Sequence, residues 1–95
     1  MAGLNEIIHQ TARLRIVAAL AALDADAKVD FTYLRNLLKL SDGNLGAHLL
    51  KLEEAGFLAQ EKTFVDRKPR TYLSLTGAGR EAFQEHVKAL REILG

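Results

Sequence analysis

Residues 37–83 read LLKLSDGNLGAHLLKLEEAGFLAQEKTFVDRKPRTYLSLTGAGREAF, and the fold turns on this stretch. Ser41 stands before a run in which Leu45, Leu49 and Leu52 recur at i, i+4 and i+7. That spacing gives one buried stripe of an α-helix, and a serine just ahead of it is a favoured N-cap. Asp42 in the first turn complements the helix dipole. Gly56 supplies the left-handed residue at which helices commonly stop, so the helix spans 42–55. Residues 57–65 and 70–75 then read as two strands around the turn Asp66-Arg67-Lys68-Pro69, which holds the only proline of the chain. Thr76 caps a last helix over 77–94, whose propensity comes mostly from Arg80 onward because Gly77 and Gly79 are weak helix formers.

Working outward, residues 11–23 predict a helix with Ile16, Val17, Leu20 and Leu23 at helical spacing. Residues 3–9 either extend it or form a separate arm. Val29 and Phe31 flank Asp30 in alternation, which allows a very short third strand. Thr32 is a plausible N-cap for a helix over 33–38, with Leu34, Leu37 and Leu38 on its buried face. The expected class is α+β, mainly helical, in one domain over 1–95 with a two-stranded hairpin.

Composition narrows the function. The chain has 95 residues and no cysteine, so disulfides and thiolate metal sites are excluded. No apolar run approaches the ~20 residues that span a bilayer, and the N-terminus lacks a signal-peptide layout; a soluble, cytoplasmic protein with no membrane partner is expected. The histidines His9, His48 and His86 form no close cluster in sequence, and no metal or cofactor is expected. No nucleophile sits beside a base in a recognisable motif, and no phosphate loop occurs, so an enzyme is not expected.

Net charge is only +1, yet its distribution is uneven. Residues 56–80 have a local balance of +3, from Lys62, Arg67, Lys68, Arg70 and Arg80 against Glu61 and Asp66, while residues 21–30 have a balance of −2. A helix-turn-helix followed by a basic hairpin is a known way to read double-stranded DNA. On the 42–55 helix, Asn44, Ala47, His48 and Lys51 lie opposite the leucine stripe. Asparagine can pair bidentately with adenine, alanine can touch a thymine methyl, histidine can donate or accept, and lysine can reach guanine or phosphate. Ser41 joins this set, and Gly43 and Gly46 remove bulk from the same end. Arg67, Lys68 and Arg70 on a stiff hairpin tip suit the backbone or an A·T-rich minor groove. Thr71 can donate its hydroxyl to phosphate, and Tyr72, facing the other way, can do the same or pack beneath the hairpin.

These segments resemble the winged-helix transcriptional regulators, in particular the MarR-like and ArsR-like groups. The residues that carry the resemblance are RLRIVAAL at 13–20, LSDGNLGAHLLKLEEAGFL at 40–58 and RKPRTYLSLTGAGREAF at 67–83. One residue departs from the commoner pattern: Leu50 stands where a basic side chain is frequent. The last helix carries Phe83, Val87, Leu90 and Leu94 at i, i+4, i+7 and i+11, close to a coiled-coil seam. The resemblance implies that this stripe pairs with the N-terminal segment and a second subunit, with Leu4, Ile7, Ile8 and His86 joining the interface. It thus implies a homodimer bound to double-stranded DNA; a small-molecule effector has no support in the residues. The alternative is a winged-helix protein-interaction module without strong DNA binding, which the low net charge and Leu50 favour.

Overall fold

The computed structural model describes residues 3–95. Asn5 caps a one-turn helix, α1 (Glu6–His9), its side chain accepting from the backbone N–H groups of Ile7 and Ile8 at 3.0 Å. Gln10 is extended, so α1 is a separate arm, and α2 (Thr11–Ala21) starts afresh. Strand β1 (Val29–Asp30) leads directly into α3 (Phe31–Leu38). The N-cap is therefore Asp30, without a side-chain bond, and Thr32 lies inside the helix. The strand pairing of Val29 with Leu73 and of Asp30 with Tyr72 holds the backbone extended up to Asp30 and moves the start forward. Leu34 and Leu38 are buried, but Leu37 is 51% exposed and does not join their face.

Helix α4 (Asp42–Glu54) follows its sequence signals closely. Ser41 Oγ accepts from the Asn44 N–H at 3.1 Å, and Leu45, Leu49 and Leu52 are fully buried. Gly56 adopts φ +81, with Gly56 N–H donating to the Glu53 carbonyl and Phe57 N–H to the Leu52 carbonyl, both at 2.9 Å. This pair of bonds is the Schellman stop.

Strands β2 (Leu58–Val65) and β3 (Lys68–Leu75) form an antiparallel hairpin, and the sheet order is β1-β3-β2. The turn is tighter than the sequence suggested. Only Asp66 and Arg67 lie outside the strands, at φ 51 and 68, the primed geometry whose twist matches a two-residue hairpin. Pro69 consequently sits in β3, opposite Phe64. The pair next to a two-residue turn exchanges both ladder bonds, so the following pair, Phe64 with Pro69, does not. The imino nitrogen of Pro69 therefore points away from β2. On that side β1 reaches only Tyr72 and Leu73, so no ladder bond is lost.

Helix α5 (Gly77–Leu94) packs through Gly79, His86 and Ala89, with Phe83 against the core beside them. Its start is locked to the end of α4. Thr76 Oγ1 accepts from the Gly79 N–H at 2.9 Å and donates to the Gly56 carbonyl at 2.6 Å, while Thr76 N–H donates to the Phe57 carbonyl at 3.1 Å. Of the residues expected at a dimer face, Ile8 and His86 are both fully buried inside the protomer. His86 faces inward because its Nδ1 accepts from the Asn5 N–H at 3.0 Å and its ring lies 5.4 Å from that of His9. Burial, reinforced by His9, pushes the His86 pKa below its ordinary value. Leu4, Ile7, Phe83, Val87 and Leu90 are half-buried, and Leu94 is 84% exposed.

Two substitutions follow from this geometry. A Cβ on Gly79 would fall 2.0 Å from the Phe57 carbonyl oxygen, whereas one on Gly77 meets nothing within 4 Å. Gly79→Ala should lower stability by about 1–3 kcal/mol or more, as overpacking against backbone does, and Gly77→Ala should be near neutral; urea unfolding of both variants measures the difference. Arg67 holds a left-handed conformation that costs a non-glycine residue ~1 kcal/mol or more. Arg67→Gly should therefore raise the melting temperature, and an unchanged or lower value would show that the turn carries no such strain.

Candidate nucleic-acid interface

The outward face of α4 is built from small and polar residues. Asn44, Ala47 and Lys51 are exposed, and a Cβ at Gly43 or Gly46 would meet nothing within 4 Å. Packing therefore does not require glycine at either place; the two positions simply keep the helix surface low. Leu50 is 51% exposed on the same surface. Ser41 already accepts the capping bond, which leaves its hydroxyl proton free to donate. Asp42, whose carboxylate would repel a phosphate, is paired with Arg35 at 2.7 Å.

His48 is only half exposed. The Arg13 guanidinium on α2 reaches its Nδ1 at 3.4 Å, and burial together with the Arg13 charge holds the imidazole below its ordinary pKa. No local signal in the sequence places Arg13 here: it lies 35 positions away and on another helix.

At the hairpin, Arg67, Lys68 and Arg70 are exposed and have no ion pair or side-chain hydrogen bond among the described residues. They do not all face one way. By register, Lys62 lies opposite Thr71 and Thr63 opposite Arg70, so Thr71 and Lys62 share one face while Lys68 and Arg70 share the other. A cleft of about 550 Å³ lined by Gly46, Leu50, Glu53, Gln60 and Lys62 joins α4 to the first of these faces. Lys62 is thus the hairpin cation that lines this cleft. Alternation from the buried Leu58 through Gln60 was the available signal for it. A second cavity, about 340 Å³, lies between the start of α3 and β3, lined by Asp30, Phe31, Thr32 and residues 68–71. Neither set singled out in the sequence lines the first cleft: α4 contributes Gly46, Leu50 and Glu53 to it, and Lys68, Arg70 and Thr71 line the second cavity instead.

Among the described residues, no group of three or more His, Cys, Asp or Glu side chains could hold a metal ion, and no helix is long and apolar enough to cross a membrane.

Comparison with known proteins bears on this arrangement. The model of the family described as "Winged helix DNA-binding domain" matches residues 12–94. The chain is 34% identical over 88 residues to the uncharacterized protein MJ0432 of Methanocaldococcus jannaschii, covering 93% of this chain and 92% of that one. Among solved structures, a transcriptional regulator homologue from Pyrococcus horikoshii OT3 superposes with a TM-score of 0.85 at 29% identity, covering 95% of this chain and 86% of that one. A possible transcriptional regulator from Methanosarcina mazei Go1, at a TM-score of 0.66 and 20% identity over 94% of this chain and 76% of its own, shares the fold. With the family match over residues 12–94 and a three-stranded sheet whose hairpin follows the capped α4, the chain belongs to the winged helix DNA-binding domain family.

Proposed function

We propose that this chain is a homodimeric, sequence-specific regulator of transcription, acting in the cytoplasm as a single winged-helix domain over residues 1–95. In this reading α4 enters the major groove and presents Ser41, Asn44, Ala47, His48 and Lys51. The wing, β2 and β3 with their turn, sets Arg67, Lys68, Arg70 and Thr71 on the backbone or in the minor groove. The observation that carries it is a capped α4 with Asn44, Ala47 and Lys51 exposed, followed by a hairpin whose Arg67, Lys68 and Arg70 are exposed and have no ion pair among the described residues. Binding at a promoter would act by occlusion or recruitment.

The dimer would form on α5. Its half-covered stripe of Phe83, Val87 and Leu90 runs to the exposed Ile93 and Leu94, and a shallow cavity of about 320 Å³ opens along Phe83, Gln84, Val87, Lys88 and Arg91. Leu4 and Ile7, half-buried, would border the same contact. Two copies related by a two-fold axis would place their α4 helices on half-sites one helical turn apart, on the order of 34 Å. The exposed Leu50 favours a second reading, a protein-interaction module on the same fold. A salt titration on random duplex separates the two, because phosphate neutralisation gives a steep log–log slope and an apolar contact does not.

Two variants test the reading. Asn44→Ala should cost roughly 1–3 kcal/mol on the selected operator and relax preference at one or two base pairs. Equal losses on operator and random duplex would leave α4 as a backbone contact only. Leu90→Asp should convert the dimer to monomer, because it places an unpaired carboxylate in an apolar seam, and should weaken operator binding with little loss of helix. Sedimentation of the unaltered protein as a monomer at tens of micromolar, with full operator affinity, would refute the dimer.

A further inference from the structure

The contact between Arg13 and His48 has a chemical direction. A guanidinium has donors and no acceptor, so the bond of Arg13 Nη1 to His48 Nδ1 requires a lone pair on Nδ1. A neutral imidazole with its lone pair on Nδ1 carries its proton on Nε2. The His48 Nε2 has no partner among the described residues and is not among the buried unpaired atoms, so it opens to solvent. On α4 it lies one turn after Asn44 and just before Lys51, both exposed. Arg13 is itself fixed, because its Nε donates to the Ile7 carbonyl at 2.6 Å, and α1 is tied to α5 by the Asn5 N–H bond to His86.

We propose that Arg13 is a positioning residue that presents His48 to the major groove as an Nε2–H donor of fixed tautomer, so that this position selects a base edge bearing an acceptor and rejects cytosine. Guanine offers O6 and N7, adenine N7 and thymine O4, whereas cytosine offers only its N4 amino donor. Guanine, with two adjacent acceptors, is the preferred partner. The proposal rests on α4 entering the major groove. Burial and the Arg13 charge also keep the ring neutral, which removes the attraction to phosphate that an imidazolium would have.

The test compares the unaltered protein with Arg13→Met, which keeps length and removes the donors. Nitrogen-15 spectra of the His48 ring in the free protein should show the Nε2–H tautomer, and in Arg13→Met a mixture of tautomers with a pKa raised toward 6.5. Operators selected from random duplex should exclude cytosine at one position, and Arg13→Met should lose that exclusion and about five-fold or more in operator affinity. Its affinity for random duplex and its salt slope should stay unchanged. A slope reduced by about 1 would mean that Arg13 contacts phosphate itself and would overturn the proposal. So would an Nδ1–H tautomer, or a tautomer indifferent to the substitution. If Arg13→Met fails to fold, the selected base pair is inverted so that cytosine stands in place of guanine. The unaltered protein should then lose affinity and His48→Ala should not; equal losses refute the assignment. If the unaltered protein binds no duplex, the base assignment falls with the DNA-binding reading, and the spectra alone decide whether Arg13 fixes the tautomer.

Discussion

The arrangement of this protein depends on the backbone carbonyl of Phe57 and the bare Cα of Gly79. The end of α4, the first residue of the hairpin and the first turn of α5 meet at this point, with Thr76 bonded to both the Gly56 and Phe57 carbonyls. Three elements that are independent in sequence thereby acquire one mutual orientation. The hairpin leaves the core at an angle set by the Schellman stop at Gly56, and α5 returns over the same carbonyl. Any side chain at residue 79 would separate these elements and tilt the hairpin relative to α4.

A second economy concerns arginine. Arg13, Arg15 and Arg80 donate to backbone carbonyls of Ile7, Leu38 and Ala21, at or near the ends of α1, α3 and α2. These are the carbonyls that a helix end leaves without intrahelical partners. Arg35 is paired with Asp42, and Lys28 with Glu61. Among the described residues, the cations of α4 and the hairpin without an ion pair are Lys51, Lys62, Arg67, Lys68 and Arg70, and of these Lys62 lines the cleft. The local balance of +3 drawn from sequence counted Arg80, which is bonded to the Ala21 carbonyl and belongs to the fold.

Much of the fold was legible in the sequence because its signals are local. The leucine stripe of α4, its serine cap, its glycine stop and the short third strand need only spacing and residue type. Some misreadings are local, such as the turn read over 66–69 that closes with Asp66 and Arg67 alone, and others involve partners remote in sequence. Thr32 lost the cap because pairing with β3 holds Asp30 extended, and Leu37 is exposed because Leu34 and Leu38 already define the face of α3 that the core accepts. Gly79 looked like a weak helix former until Phe57 came against it. The candidate interface was legible as residue types on a helix face. The inward pull on His48 and His86 was not, because Arg13 and Asn5 reach them across 35 and 81 positions.

The outward-pointing nitrogen of Pro69 has a consequence for how copies of this chain behave in concentrated solution. Beyond Tyr72, β3 has an uncovered edge, and such an edge invites strands of other molecules to add to it. At Pro69 this edge offers no N–H, and on either side stand Lys68 and Arg70. A foreign strand would forfeit a ladder bond and meet cations at the neighbouring positions. The same segment that is cationic and projecting is therefore guarded against edge-to-edge aggregation, even though Phe64, across the hairpin, is 73% exposed.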